Sequence, residues 1–254
     1  MECTFWNGAS ESSEELEDTQ YTITFDGMQY TGTYTYSSIG LNESFVSDRY
    51  KTEDGVYFEI RRDTQELVNI EFAVKLYHAG ARYKEDVEDP AATALSIATA
   101  YAKQYLEDFE AYTITVHDPI VVEKNRDGDA YRYSKHIISF CKKIGEYDTS
   151  DILFVTVSSK GDLLFLDVSD LSVLDEFEII VNSELLNQSV DSKLKEIYAN
   201  AGYTLVSYSI IKQTVCVTPE GKPCIMTYTE TTVKDHSGLE IGTGIDIITY
   251  FDPS

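Results

Sequence analysis

The sequence predicts an α+β fold: antiparallel sheets each packed by one helix, as two tandem helix-plus-sheet units preceded by a β-meander. Three observations predict it. Segments alternating with a period of two, the signature of half-buried strands, recur through the chain. Two stretches of helical periodicity interrupt them. Each is followed by three or four strand-like segments, so 89–168 and 189–251 repeat one order of elements. The repeat is in element order, not in residue identity.

The elements follow in order. "YTITF" puts Tyr21, Ile23 and Phe25 on one face, and Asp26-Gly27 is a tight-turn signal. "MQYTGTYTY" then aligns Met28, Tyr30, Tyr34 and Tyr36, with Thr31, Thr33 and Thr35 opposite. "GVYFEI" and "LVNIEF" complete the meander. In "EDPAATALSIATAYAKQYLEDF", Asp89 is a good N-cap and Pro90 fits the first helical position. Leu95, Ala98, Ala102 and Tyr105 share a stripe, and the small residues imply close approach to a sheet. "AYTITV" is a strand and "HDPIVVEKNRDGDA" a loop. "YRYSKHIISFCKKI", "DILFVTVS" and "DLLFLDVS" are strands, the last two joined by a turn at Ser159–Asp162. The second helix is expected in "SVDSKLKEIYANAG", capped by Ser189 or Asp191, with Val190, Leu194, Ile197 and Tyr198 as its face and Gly202 as its stop. Strands "YTLVSYSIIKQTVCV", "KPCIMTYTETTV" and "IGTGIDIITYF" close the chain. The expected division is a flexible acidic tether over 1–18, the meander with the first unit over 19–170, and the second unit over 171–254.

The formal net charge is -24, and no Lys or Arg precedes Arg49. Such a charge repels nucleic acid and anionic membrane surfaces, so neither is expected as a direct partner. Positions 9–20 are dominated by Ser, Glu and Asp and bury too little apolar surface to offset their ordering entropy. No apolar run reaches the roughly 18 residues that span a bilayer, and Met1-Glu2 before Cys3 is no signal peptide. The chain is then either cytoplasmic or an exported protein whose signal has been removed. Cys3 at the free end of an acidic linker resembles a mature bacterial lipoprotein, in which the Cys following signal cleavage is lipidated. The resemblance implies Cys3 as the lipid attachment and anchorage on the outer face of the cell membrane.

A second resemblance lies in "ALSIATAYAKQYL", "FCKKIGEYDTSDILFVTVSSKGDLLFL" and "VDSKLKEIYANAGYTLVSYSI". These stretches look like secreted or lipid-anchored proteins of Gram-positive gut bacteria that carry tandem PepSY-like or cystatin-like units. The resemblance spans about 80–253 at the level of pattern. It implies a non-catalytic module that binds or inhibits an extracellular protein such as a peptidase, and it brings no catalytic residues.

The chemistry legible in the residues is sparse. There is no G-x-S-x-G, H-E-x-x-H, Walker A or G-x-G-x-x-G motif. Gly242-Thr243-Gly244 precedes a strand, not a helix, so it is no phosphate loop. Cys141 and His136 are five apart, which places them on opposite faces of a strand. No enzyme activity and no cofactor are expected. "NRDGD" offers Asn125, Asp127 and Asp129 as oxygen ligands for calcium, but without the glycine position and bidentate Glu of an EF-hand. Cys216 and Cys224 flank a turn and are a candidate cross-strand disulfide if the register sets them opposite each other. Tyr30, Tyr34 and Tyr36 are candidate ligand-facing aromatics: exposed, they would stack on sugar rings or a peptide; buried, they are core. The partner expected is an extracellular protein, or alternatively a glycan or cell-wall polymer, met by a monomer.

Overall fold

The strands do not sort into two separate helix-covered sheets. In this computed structural model, which describes residues 18–38, 45–72, 85–126, 129–168, 171, 174, 177–218 and 221–250 (backbone alone at 124–126 and 129–131), two α-helices accompany thirteen strands. The strands are β1 Gln20–Phe25, β2 Met28–Ser38, β3 Ser47–Thr52, β4 Tyr57–Arg61, β5 Leu67–Glu71, β6 Tyr112–Val116, β7 Ile120–Arg126, β8 Asp129–Ile144, β9 Tyr147–Ser158, β10 Leu163–Asp167, β11 Thr204–Val217, β12 Pro223–Lys234 and β13 Glu240–Tyr250. The helices are α1 Pro90–Tyr105 and α2 Ser183–Asn200. All thirteen strands join one sheet in the order β1-β2-β3-β4-β5-β10-β9-β11-β12-β13, with β8 beside β9 and both β6 and β7 on β8. The sheet is mixed, because β11 runs parallel to β9 through Thr214↔Asp148 and Val215↔Thr149.

This corrects the predicted α+β arrangement of two helix-plus-sheet units behind a separate meander. Alternation tells which face a residue takes, but not which strand lies beside it. The open side of β10 is taken by β5, with Phe165↔Glu71, Leu166↔Ile70 and Asp167↔Asn69 in register, so the meander belongs to the sheet. Two compact units are nonetheless distinguishable, one within residues 1–142 with 151–171, the other 143–150 with 172–254. The strand β9 contributes to both.

In the first unit, Asp26 and Gly27 take positive φ (50° and 73°) between Phe25 and its partner Met28. That is the two-residue turn whose twist matches the flanking strands. The α1 helix starts as predicted: the Asp89 side chain accepts from the Ala92 N–H at 3.0 Å, with Pro90 at the start. Such a cap is worth about 0.5–2 kcal/mol. Ala94, Ala98 and Ala102 are fully buried, in one core with Phe58, Ile70 and Phe140. Two segments depart from the reading of the sequence. The strand β3 was not foreseen, and the expected loop 117–130 contains β7, which pairs with β8 from Ile120↔Lys135 to Arg126↔Asp129.

Aromatic rings fill the space beside α1. Tyr30 meets Phe72 edge-on at 5.6 Å, and Phe25 stacks on Tyr101 at 5.8 Å. The Tyr101 hydroxyl donates to Asp26 Oδ2. Tyr30, Tyr50, Tyr101 and Tyr105 all titrate above the ordinary phenol value, in each case first because burial disfavours the phenolate and then because anionic neighbours do, Asp26 for Tyr30, Tyr101 and Tyr105. The unfolded chain therefore loses these protons first. Stability should hold below about pH 10 and fall as pH rises through the raised values. Urea unfolding midpoints across the alkaline range check this; midpoints flat past phenol ionisation would contradict it.

In the second unit α2 begins earlier than predicted. Asn182, not Ser189 or Asp191, is the cap, accepting from Leu185 N–H at 3.1 Å. The extra length, about two turns, adds Leu186 to a stripe with Val190, Leu194 and Tyr198, a spacing of four that keeps all of them on one face. That stripe buries Val215, Val217, Ile225, Val233 and Ile247 of β11–β13.

Candidate functional site

The second unit also carries a concave surface whose lining converges chemically. In β12, alternation turns Ile225, Thr227, Thr229, Thr231 and Val233 toward α2, all of them buried. The opposite face carries Tyr228, Glu230 and Thr232. Register then brings neighbours to them. Glu230 lies between Ser209 of β11 and Gly244 of β13, and Thr232 between Ser207 and Gly242. These residues line a groove of about 500 Å³, within the size range of small-molecule sites.

The floor is open because two residues of β13 have no side chain. A Cβ at Gly244 would lie 2.6 Å from the Tyr228 hydroxyl and 3.2 Å from two ring carbons. The phenol therefore lies across Gly244, while 39% of Tyr228 stays exposed. A Cβ at Gly242 would meet nothing within 4 Å, so that position opens into the groove. Glu230 is the one carboxylate lining the groove, and no ion pair engages it among the described residues. The groove thus offers a flat ring for stacking, a carboxylate acceptor and the hydroxyls of Ser207, Ser209 and Thr232. Paired carboxylates, which glycoside hydrolysis uses, are not among its lining residues.

The site residues predicted from the sequence are not among those lining the groove. Tyr30 and Tyr34 are buried at 6% and 7% exposure, while Thr31, Thr33 and Thr35 are exposed. Tyr36 leaves the ladder. A register shift between Tyr34 and Tyr36 sends it to the other face, where Arg49 donates to its hydroxyl at 3.2 Å. The predicted aromatic ladder is therefore core plus one half-buried ring, and cannot serve as a stacking platform. Cys216 and Cys224 are directly opposite, both buried and not joined by a disulfide. Asn125 and Asp129 sit on β7 and β8, but Asp127 and the side chains of all three lie outside the described residues, as do Cys3 and the tether through Glu17. Among the described residues no cluster of three or more His, Cys, Asp or Glu is placed to hold a metal, and no helix is long and apolar enough to cross a membrane.

Sequence reasoning missed Tyr228, Glu230 and their neighbours. One signal was available: glycine inside a strand marks a place where another group approaches closely, and Gly242-Thr243-Gly244 does so twice. Compared with protein-family models, curated proteins and solved structures, the chain matches none.

Proposed function

We propose that this chain is a non-catalytic binding module, tethered to a bacterial cell surface through Cys3, that holds a saccharide in the groove of β11–β13. The observation that carries the reading is the Tyr228 ring laid across Gly244 beside Glu230. A pyranose has an apolar C–H face that stacks on an aromatic ring, and a rim of hydroxyls that donate to a carboxylate and exchange bonds with Ser and Thr. The acidic tether supports display away from anionic surfaces. A peptidase-directed role drew on tandem helix-on-sheet units, which the chain does not form.

The test is an oligosaccharide array followed by calorimetry on the ligands retained. Tyr228→Ala should weaken binding by about tenfold or more, equivalent to about 1.4 kcal/mol or more, with the fold unchanged by circular dichroism. Gly242→Val, which fills the groove from its open floor, should abolish binding. Retention of no saccharide, or saccharide binding indifferent to both changes, would sink the reading. A peptide ligand indifferent to both would instead favour strand addition at β13, the last strand in the sheet order, which exposes Ile241, Ile248 and Tyr250.

A further inference from the structure

Cys216 and Cys224 are held opposite each other by more than their own rung. Pairing of β12 with β11 runs from Thr204↔Lys234 to Val217↔Pro223, and its pairing with β13 runs from Cys224↔Tyr250 to Lys234↔Glu240. A slip of one residue would turn Val215, Val217 and Ile225 away from α2, so the register is fixed by the core. Within that register the two sulfurs are 3.4 Å apart, in a thiol–thiol hydrogen bond. A disulfide would draw them together by only about 1.4 Å, to the usual bond length near 2.05 Å. Both side chains are buried, at 4% and 1% exposure.

We infer that Cys216 and Cys224 are a dithiol–disulfide site, oxidised by exchange with a disulfide donor to give a covalent clasp between β11 and β12. The hydrogen bond from Cys224 holds the Cys216 thiol below its ordinary value against the opposing effect of burial, which makes Cys216 the attacking sulfur. In the first step the Cys216 thiolate attacks one sulfur of the donor, forming a mixed disulfide and releasing one donor thiolate. In the second the Cys224 thiolate attacks the Cys216 sulfur and expels the other donor thiolate. The two protein protons end on the two donor thiols, the donor is reduced by two electrons and the protein is oxidised by two. Access comes from the near end of the hairpin. One rung, Val217↔Pro223, separates the pair from the turn closed by the Thr218 N–H to the Lys222 carbonyl at 2.9 Å. Opening that end is a local event, short of global unfolding. The site does not depend on the saccharide reading.

The probe is oxidised glutathione, applied to the reduced full chain with and without denaturant below the unfolding midpoint. Free thiols are then alkylated and the chain is cut after Glu220, which separates the two cysteines. The expected result is a peptide pair joined through Cys216 and Cys224, released by dithiothreitol, and a raised denaturation midpoint of the oxidised protein. In Cys224→Ser the exchange should stop at the first step, leaving glutathione on Cys216. Full alkylation of Cys216 and Cys224 under both conditions would overturn the inference, as would linkage of either to Cys3 or Cys141 in preference, or absence of the adduct from Cys216 in the variant.

Discussion

Replacing Phe58 with alanine should destabilise the first unit by about 3–5 kcal/mol, the range for removing a fully buried phenylalanine ring. Phe58 has no solvent exposure and stacks on Tyr50 with ring centroids 5.4 Å apart and planes 16° from parallel. Its position also explains Gly32. A Cβ there would come within 2.9 Å of Phe58 Cε1 and of Tyr50 Cβ. The second of these atoms is anchored to the backbone and cannot swing aside. The ring therefore occupies space that β2 leaves empty, and no side chain of Gly32 is present to refill it. A loss of this size is a large fraction of the roughly 5–15 kcal/mol that holds a domain folded. Urea denaturation followed by circular dichroism would measure it. A loss below about 1 kcal/mol, the centre of the distribution for point substitutions at large, would mean that β2 collapses into the vacated space.

The same neighbourhood shows what a sequence displays and what it withholds. Strands β1, β2, β4 and β5 were legible because one face of each is apolar at every second residue, and α1 because Asp89-Pro90 marks its start and alanines mark its buried side. The β3 sequence, SDRYKT, was not. Its Asp48 is buried through the Arg62 guanidinium and the Ser37 hydroxyl, so a charged residue occupies an inward position that hydropathy reads as solvent. Tyr36 was assigned to the wrong face because a bulge changes the parity of alternation without leaving a mark in composition. Strand order was beyond reach for another reason: the pairings of β5 with β10 and of β9 with β11 join segments far apart in the chain, and no local signal encodes them. The groove failed to show for the same cause. Its ring and carboxylate lie in β12, its hydroxyls in β11 and β12, and its floor in β13, so cross-strand register assembles what no single motif contains.

Arg49→Met tests the polar side of this sheet. Arg49 sits with its guanidinium 4.7 Å from the centre of the Tyr57 ring, and it donates to Glu59 at 3.1 Å and to Glu71 at 3.0 Å. The two carboxylates are unequal. The Glu71 side chain is 36% exposed, and its pair is screened by water and contributes little. The Glu59 side chain is 9% exposed, and it also accepts from the Ser47 hydroxyl at 3.1 Å. Methionine keeps much of the stem but strands the Glu59 charge, so the expected cost is about 3 kcal/mol, the lower end for breaking a buried pair. Adding Glu59→Leu should then recover part of that loss, because an apolar pair of similar volume needs no solvation. A four-variant denaturation cycle supplies the measurement, with a coupling well outside the additivity error of about 0.5 kcal/mol. If the double variant is as unstable as Arg49→Met alone, the residue acts through its packing on Tyr57 and not through its charge. Such an outcome would assign Arg49 to ordinary cation–π packing, and would leave the buried Glu59 carboxylate tolerated through its bond from Ser47.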